Sequence, residues 1–520
     1  MKERRNNDLV DIDSFFYENK RRKKEQLLNL SINERRERRK ALKDFIFYLG
    51  ECENKNAAFF DNALLGQSWI TFDDLDYVPS QLIDNKVKPL IQKQARFMFG
   101  RSPDILLKPL DKDNKETCEE LRQKIDSILD DNKFWSNTLK AFRLATITKR
   151  VLLRVEANPN SPIKLYYHSI DDFSYNVNTD DTSQLKDVTF VREDPNNINK
   201  NDDVSNQLWY RYTYHMKNAS CYLKIETFKG DNLDKPIDIK EQNTGLSQIP
   251  CWVIVNEQSS NNIIGCSDLK DLKPLQNAYN RRLSDFNDAL RFLMFGQTAV
   301  IDGDEDDVNK CVIAPNSLMA IKTRGSDGSI DATRQARVSR VESSFSNAEP
   351  VKMFLDLLDD SMHEKLAIPL AAQLKEVPSA KTIKYIYTEL VARCDEKWND
   401  WEPIIRSLLS LVIEACQKLN CYSDWKSEWN DLEYVLVINK NYPIPEDEED
   451  KKRLAMEEVQ VKVRSHKGYI KDFSDEEDVE EEFDEILEEN YQITNSEDSF
   501  TKGLNDELNN ANADVTNNGE

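Results

Sequence analysis

Apolar side chains recur every three or four positions over much of residues 32–150, alternate every second position over 150–256, and return to helical spacing from 267 onward. After a polar, basic start over residues 1–30, Ser31 and Glu34 have capping-box spacing and predict a helix over 32–49 that Gly50 ends. Val87, Leu90, Ile91 and Met98 predict a second over 85–99, stopped by Gly100 and Pro103. Leu121, Ile125 and Ile128 predict a third, and Trp135, Leu139, Phe142 and Ala145 a fourth, so the first 150 residues read as mainly helical.

Short runs at 151–155, 163–167, 188–191, 208–216, 222–228 and 252–255 predict an antiparallel sheet region. Turn clusters such as Asn158-Pro159-Asn160 and Asp194-Pro195-Asn196-Asn197 separate them. The face carrying Leu208, Tyr210, Tyr212 and Tyr214 is expected to pack on helices.

From Ser267 the pattern becomes a single seam of Leu269, Leu272, Leu275, Tyr279, Leu283, Phe286, Leu290 and Leu293. It predicts one helix of roughly 28 residues, about 42 Å long. Ser267 stands at its N-cap, and Asp268 and Asp271 suit the positive end of its dipole. Lys270, Lys273, Asn277, Arg281, Asp288 and Arg291 fall on the opposite face.

Residues 296–349 read as a small insert with strand-like pieces at 298–301 and 318–322 around turns at Asp302-Gly303-Asp304 and Gly325-Ser326-Asp327-Gly328. Pro350 then opens a return helix striped by Val351, Phe354, Leu355, Leu358, Met362 and Leu366. Two long helices with narrow seams cannot bury both flanks within one chain and need neighbours.

Residues 367–379 are apolar but irregular. Ser379 caps a stripe of Ile383, Ile386, Leu390, Cys394, Trp398, Trp401, Ile405, Leu408, Val412, Ala415 and Leu419, with a kink expected near 399–401 from Pro403. A strand at 434–438, a break at Pro443-Ile444-Pro445 and helices over 446–490 joined at Gly468 complete the pattern; the last 30 residues are expected to be disordered.

Length changes this picture by allowing several domains, since the chain has 520 residues. Charge changes it more. The net charge of -23 opposes a general nucleic-acid coat, yet residues 20–43 hold eleven Lys/Arg and three Glu, while 472–489 hold twelve Asp/Glu. DNA contact by the basic run is weighed down by Glu34 and Glu37 on the same helix. The acidic segment, with Phe473, Val479, Phe483, Ile486 and Leu487 interleaved, reads as an amphipathic helix, either a solvated face or a partner-docking surface. Nine cysteines without a C-x-x-C imply reduced, packed thiols. The charged start and the lack of an 18-residue apolar stretch imply a protein made and used in a cytoplasm, with no membrane partner.

The chemistry of an enzyme is missing from the pattern. Neither a G-x-x-x-x-G-K-[ST] nor a G-x-G-x-x-G phosphate cradle occurs, and His168, His215, His363 and His466 stand isolated, without a second ligand at metal spacing. Asp302, Asp304 and Asp306 begin like a calcium loop, but Asp307 stands where its glycine belongs and Ile313 where its bidentate glutamate belongs. Asp171-Asp172 and Asp180-Asp181 read as solvated turns, and Cys266 lacks an evident base. No catalytic residue, metal or cofactor is expected.

One stretch is more specific. Asn256, Gly265-Cys266-Ser267-Asp268-Leu269, Leu272, Ala278-Tyr279-Asn280 and Ser284-Asp285 resemble the N…G-x-S-D-L…A-Y-N…S-D pattern of the portal, or head-to-tail connector, proteins of tailed bacteriophages. Asn85 to Gly100 with Pro103, Asn132 to Val155, and Gly468-Tyr469-Ile470 followed by Asp478-Val479-Glu480-Glu481-Glu482 resemble further family segments in the same order, covering roughly 55–490. Cys266 departs from the small or polar residues more familiar there.

The resemblance implies an α+β portal fold. By position, 1–54 would be a basic arm and helix, 55–265 the helical then antiparallel β wing, 266–295 a stem helix and 296–349 a small α/β clip. Residues 350–367 would be the returning stem helix, 368–379 a tunnel loop, 380–442 the long kinked wing helix with its strand, 443–490 a helical crown and 491–520 a disordered tail. It implies a dodecameric ring at one capsid vertex of the virion, assembled in the host cytoplasm, through which double-stranded DNA is packaged and ejected. Its partners would be the large terminase, head-tail adaptor proteins and the major capsid or scaffolding protein. Leu374, Lys375, Glu376 and Val377 would form the narrowest tunnel segment, with transient DNA contact from Lys375, Lys381 and Lys384. Stem packing would fall to Leu272, Tyr279, Leu283, Phe286, Leu290, Leu293, Phe354, Leu358 and Met362. The competing reading is a cytoplasmic coiled-coil scaffold or adaptor without nucleic acid.

Overall fold

The computed structural model describes residues 21–50, 79–294 with short breaks, 297–301, 337–341, 348–370, 380–444, 448–473, 479 and 482–489. After a helical stretch at 21–27, α1 (Ile32–Leu49) begins where Ser31 Oγ accepts the Glu34 amide and ends at Gly50, whose φ of 69° is left-handed. The other half of the capping box is absent, because the Glu34 carboxylate turns instead to Arg38 and Arg150.

α2 (Val87–Phe99) leads into β1 (Asp104–Pro109), and α3 (Lys115–Asp131) and α4 (Phe134–Thr148) follow. β1 is a strand that the mainly helical reading of this region does not include. It is a short strand whose Ile105 and Leu107 point inward, and its partner lies far along the chain. Phe99 of α2 and Phe142 of α4 meet Trp401 at ring distances of 5.3 and 5.7 Å, so the aromatic core joins the early helices to a helix much later in sequence.

The strand region forms two sheets, all antiparallel. β2 (Arg150–Glu156) lies between β3 (Lys164–Ser169) and β9 (Cys251–Val255). β4 (Phe173–Val177), β5 (Leu185–Glu193), β6 (Leu208–Lys217), β7 (Ser220–Lys229) and β8 (Asp238–Asn243) form the second sheet in sequence order. β8 is exposed along its whole length and carries little alternation, which is why the pattern passes over it.

The expectation for the tyrosine face is corrected. Trp209, on the other face of β6, covers Leu27, Leu28 and Leu30 of the N-terminal segment. Tyr212 and Tyr214 instead face a groove of roughly 750 Å3 between the sheets, shared with Arg154, Tyr166, His168 and Phe190. Phe190 stacks on Tyr212 at 4.8 Å, so these rings pack against strands. Asp171-Asp172 is likewise no open turn: Asp172 pairs with Lys24 at 2.6 Å and accepts from Ser169.

The long helix is α5 (Leu269–Met294), 26 residues, and α6 (Ala348–Lys365) packs against it. Between them β10 (Gln297–Ile301) pairs with β11 (Arg337–Val341); the expected strand at 318–322 and both glycine turns lie outside the described residues. The expected single long helix is two, α7 (Ala380–Ile386) and α8 (Thr388–Leu419). The interruption falls at Tyr387, and α8 continues through Pro403 with Trp398, Trp401, Ile405 and Leu408 buried on either side of it. β12 (Tyr434–Asn439) closes on β1.

Two compact units emerge, residues 1–375 with 386–443, and residues 376–385 with 444–520. In the second, α9 (Glu448–Gln460) and α10 (His466–Phe473) bury Ala455 and Ile470, and Arg464 reaches Glu458 and Asp472. Gly468 is not the joint. The turn lies at 461–465, where Lys462 takes φ 61°, and Gly468 sits inside α10 with its amide on Ser465 Oγ. Residues 482–489 are helical, within the expected acidic amphipathic segment.

Candidate functional site

α5 starts where β9 and α4 end and where α8 passes. Gly265 holds φ 84°, and a Cβ there would lie 2.6 Å from the Asn256 carbonyl oxygen, so the turn into the helix requires glycine. The Asn256 amide donates to Lys149 O at 2.8 Å, Cys266 N donates to Asn256 O at 2.9 Å, and Asn256 Nδ2 donates to Cys266 O at 2.7 Å. Ser267 Oγ donates to Ile147 O at 2.7 Å and accepts the Leu269 amide at 3.3 Å. The backbone of this turn is thus tied to the ends of α4 and β9.

Asp268 carries the charge of the root. Asn256 Nδ2 and Lys397 Nζ each lie 2.9 Å from its Oδ1, and Arg393 lies 3.2 Å from its Oδ2. Lys397, itself 3% exposed, also donates to Asn256 Oδ1 at 2.8 Å, and Glu257 reaches both Lys397 and Arg393 at 3.2 Å. Burial alone would push the Asp268 carboxyl up, but the Lys397 and Arg393 cations hold it below its ordinary value, so it stays ionised beside the positive end of α5. Two cations and two carboxylates balance one another.

Sequence reasoning missed Lys397 and Arg393. Their only local signal is the four-residue spacing that puts both beside the stripe of Leu390, Cys394 and Trp398.

A second feature runs down α5. Gln276, Asn280, Ser284 and Asp288 recur every four residues and are all buried. They accept the alternate backbone amides of a strap ahead of α2: Lys86 N to Gln276 at 2.9 Å, Asp84 N to Asn280 at 3.1 Å, Leu82 N to Ser284 at 2.9 Å, and Ser80 N to Asp288 at 2.9 Å. The match is geometric. One i to i+4 step rises about 6 Å, close to the roughly 6.6 Å that two residues of extended chain span. Gln276 Nε2 returns a bond to Asp84 O at 2.8 Å, and Tyr279 Oη donates to Asp84 Oδ2 at 3.3 Å. The helix is therefore covered along this row, and Asn280 and Ser284 of the A-Y-N…S-D pattern are strap acceptors.

The seam residues divide. Leu272, Tyr279, Leu358 and Met362 are buried, Leu283 and Phe286 are half-buried, and Leu290 and Phe354 are exposed at 39% and 42%. Met353 and Leu357 beside Phe354 are exposed as well, and the Leu293 side chain lies outside the described residues. Leu374, Lys375, Glu376 and Val377 lie outside them too, as does the Lys381 side chain; Lys384 is exposed on α7.

Among the described residues no group of three or more His, Cys, Asp or Glu is placed to hold a metal ion. Six of the seven described cysteines are buried, and burial pushes the Cys394 and Cys416 thiols up to about 12, far from a reactive thiolate. No helix among these residues is long and apolar enough to cross a membrane.

The family model described as phage portal protein, SPP1 Gp6-like, matches residues 29–496. Among solved structures, a chain from the "Neck of native GTA particle computed with C12 symmetry" is similar at 11% identity and a TM-score of 0.36, covering 74% of this chain and 89% of that one. An overlap that slight says nothing of what this chain does. No curated protein matches it.

Proposed function

The chain belongs to the SPP1 Gp6-like family of phage portal proteins, and from that premise we propose that copies of it close into a dodecameric ring whose channel passes double-stranded DNA during packaging and ejection. As a portal it is a connector component of the virion capsid, and its role is structural. In this reading the large terminase docks during packaging and head-tail adaptors replace it afterwards, while the capsid or scaffolding protein holds the ring at one vertex. Assembly takes place in the host cytoplasm.

The observation that carries the ring is the unfinished seam of α5 and α6. Met353, Phe354 and Leu357 on α6 and Leu290 on α5 stay exposed in the single chain although the root of the same pair is dry. A flat apolar stripe on paired rods is covered when identical copies pack side by side, and repetition of such a contact about an axis gives a closed ring. In this assignment α5 and α6 are the stem, residues 296–349 the clip, the two sheets and α8 the wing, and 443–490 the crown. Residues 374–377 form the tunnel constriction, with Lys375, Lys381 and Lys384 touching phosphates in passing.

Electron microscopy of the purified protein tests the reading. Rings with a central hole wide enough for a duplex are expected; rods or small oligomers without a hole favour the coiled-coil scaffold instead. Lys375→Glu should leave rings intact and impair packaging or retention of DNA.

A further inference from the structure

The mixed-charge sequence of α1, read linearly, looks self-neutralising, but the fold sorts its charges by sign. All three acids of the helix are consumed inward. Glu34 pairs with Arg38 and with Arg150 at 2.7 Å, Glu37 pairs with Lys149 at 2.8 Å, and Asp44 pairs with Lys273. The Lys149 and Lys40 cations outweigh burial and hold the Glu37 carboxyl below its ordinary value, so this pairing is with an ionised group. What remains outside is of one sign. Arg35, Arg36, Arg39 and Lys43 are exposed, and none forms a salt bridge among the described residues; Lys40, shared with Glu37, borders them.

At 100° per residue these five cations occupy about 140° of one helix face and span roughly 12 Å of its axis. On a protein with a net charge of -23, such a face is a local reversal of sign.

We propose that this outer face of α1 binds the phosphate backbone of duplex DNA without regard to sequence, as a contact separate from the channel. The chemistry favours phosphate over a protein partner. Three of the four free cations are arginines, whose planar fork suits phosphate oxygens. The row from 35 to 43 also offers no exposed apolar anchor; only Ile32, one turn earlier, stands exposed beside it. A protein interface needs an apolar centre, whereas counterion release from a phosphate backbone needs only the charges. This inference does not depend on the number of subunits in the ring.

The test uses the full-length protein and a covalently closed circular duplex, which cannot thread a channel and so reads outer surfaces alone. Binding is measured by retention between 50 and 200 mM NaCl for wild type and for the Arg35→Gln, Arg36→Gln, Arg39→Gln, Lys43→Gln variant. Four phosphate contacts predict a fall in affinity on the order of a hundredfold across that salt range, and a log-log slope at least about 3 units shallower in the variant. A milder Arg36→Gln, Arg39→Gln variant should lie between the two. Equal binding by wild type and both variants overturns the proposal, as does failure of wild type to bind the circle at 50 mM NaCl. Wild type that binds a synthetic peptide of residues 472–490 through this row, and no circle, also overturns it and points to an acidic protein segment. Rings with a hole that ignore circular DNA would sink this contact and leave the channel reading standing.

Discussion

Lys397 Nζ sits 2.9 Å from Asp268 Oδ1 with both side chains withdrawn from solvent, tying the residue just ahead of α5 to α8. Two buried charges are tolerated there because each is satisfied by further partners: Asn256 and Arg393 on the acid, Asn256 and Glu257 on the amine. Removing one leaves the other uncompensated. Lys397→Met or Asp268→Asn alone is therefore expected to cost about 3–5 kcal/mol of unfolding free energy. The double variant Asp268→Asn, Lys397→Met should cost less than the sum of the two. Urea unfolding of the four proteins closes the cycle; additive losses would mean that the pair does not act as a unit.

Gly265→Ala probes the same root through the backbone. The left-handed φ and the approach to the Asn256 carbonyl predict a loss of about 1–3 kcal/mol, read as a lower denaturation midpoint. A variant as stable as wild type would show that the turn relaxes freely.

The strap makes a residue-by-residue prediction. Among the described residues of the strap, the amides of Ser80, Leu82, Asp84 and Lys86 meet the α5 row and should exchange with deuterium slowly. Ser284→Ala leaves Leu82 N without its acceptor and should speed exchange at Leu82 more than at Lys86. Its cost in stability should be about 1–3 kcal/mol. Uniform exchange along the strap, unchanged by the substitution, would show that the row does not hold it.

Much of this fold is legible from periodicity because its helices and most of its strands bury one face. The seam from Leu269 and the stripe from Leu390 both report a side turned inward. What escapes has a physical reason. β1 draws its meaning from β12, hundreds of residues away, and β8 buries nothing. The root was half visible: Asn256, Gly265, Ser267 and Asp268 stood out as a pattern, but the cations that complete it come from a helix whose apolar stripe hides them. The row Gln276, Asn280, Ser284 and Asp288 was present at four-residue spacing. Polar residues at that spacing read as solvated unless an extended segment is known to cover them. On α1 the reverse holds, since Glu34 and Glu37 suggest neutrality until the fold turns them inward.

His168 supplies a pH dependence whose sign can be worked out. It lies beside the groove between the sheets, where Arg154 Nε donates to its Nε2 at 3.2 Å, an arrangement open only to the neutral ring. Burial first, then the Arg154 charge, lowers its pKa from 6.5 to about 4. Between those values the unfolded chain takes up a proton that the folded chain refuses. Stability is therefore fully present above pH 6.5 and falls as pH drops through the window. From pH 7 to about pH 5, before most carboxylates protonate, the loss from this one group is about 2 kcal/mol. His168→Gln keeps an acceptor for Arg154 and removes the titration, so its unfolding free energy should change little over the same range. Urea unfolding at the two pH values decides the matter: an equal loss in wild type and variant would place the acid sensitivity elsewhere.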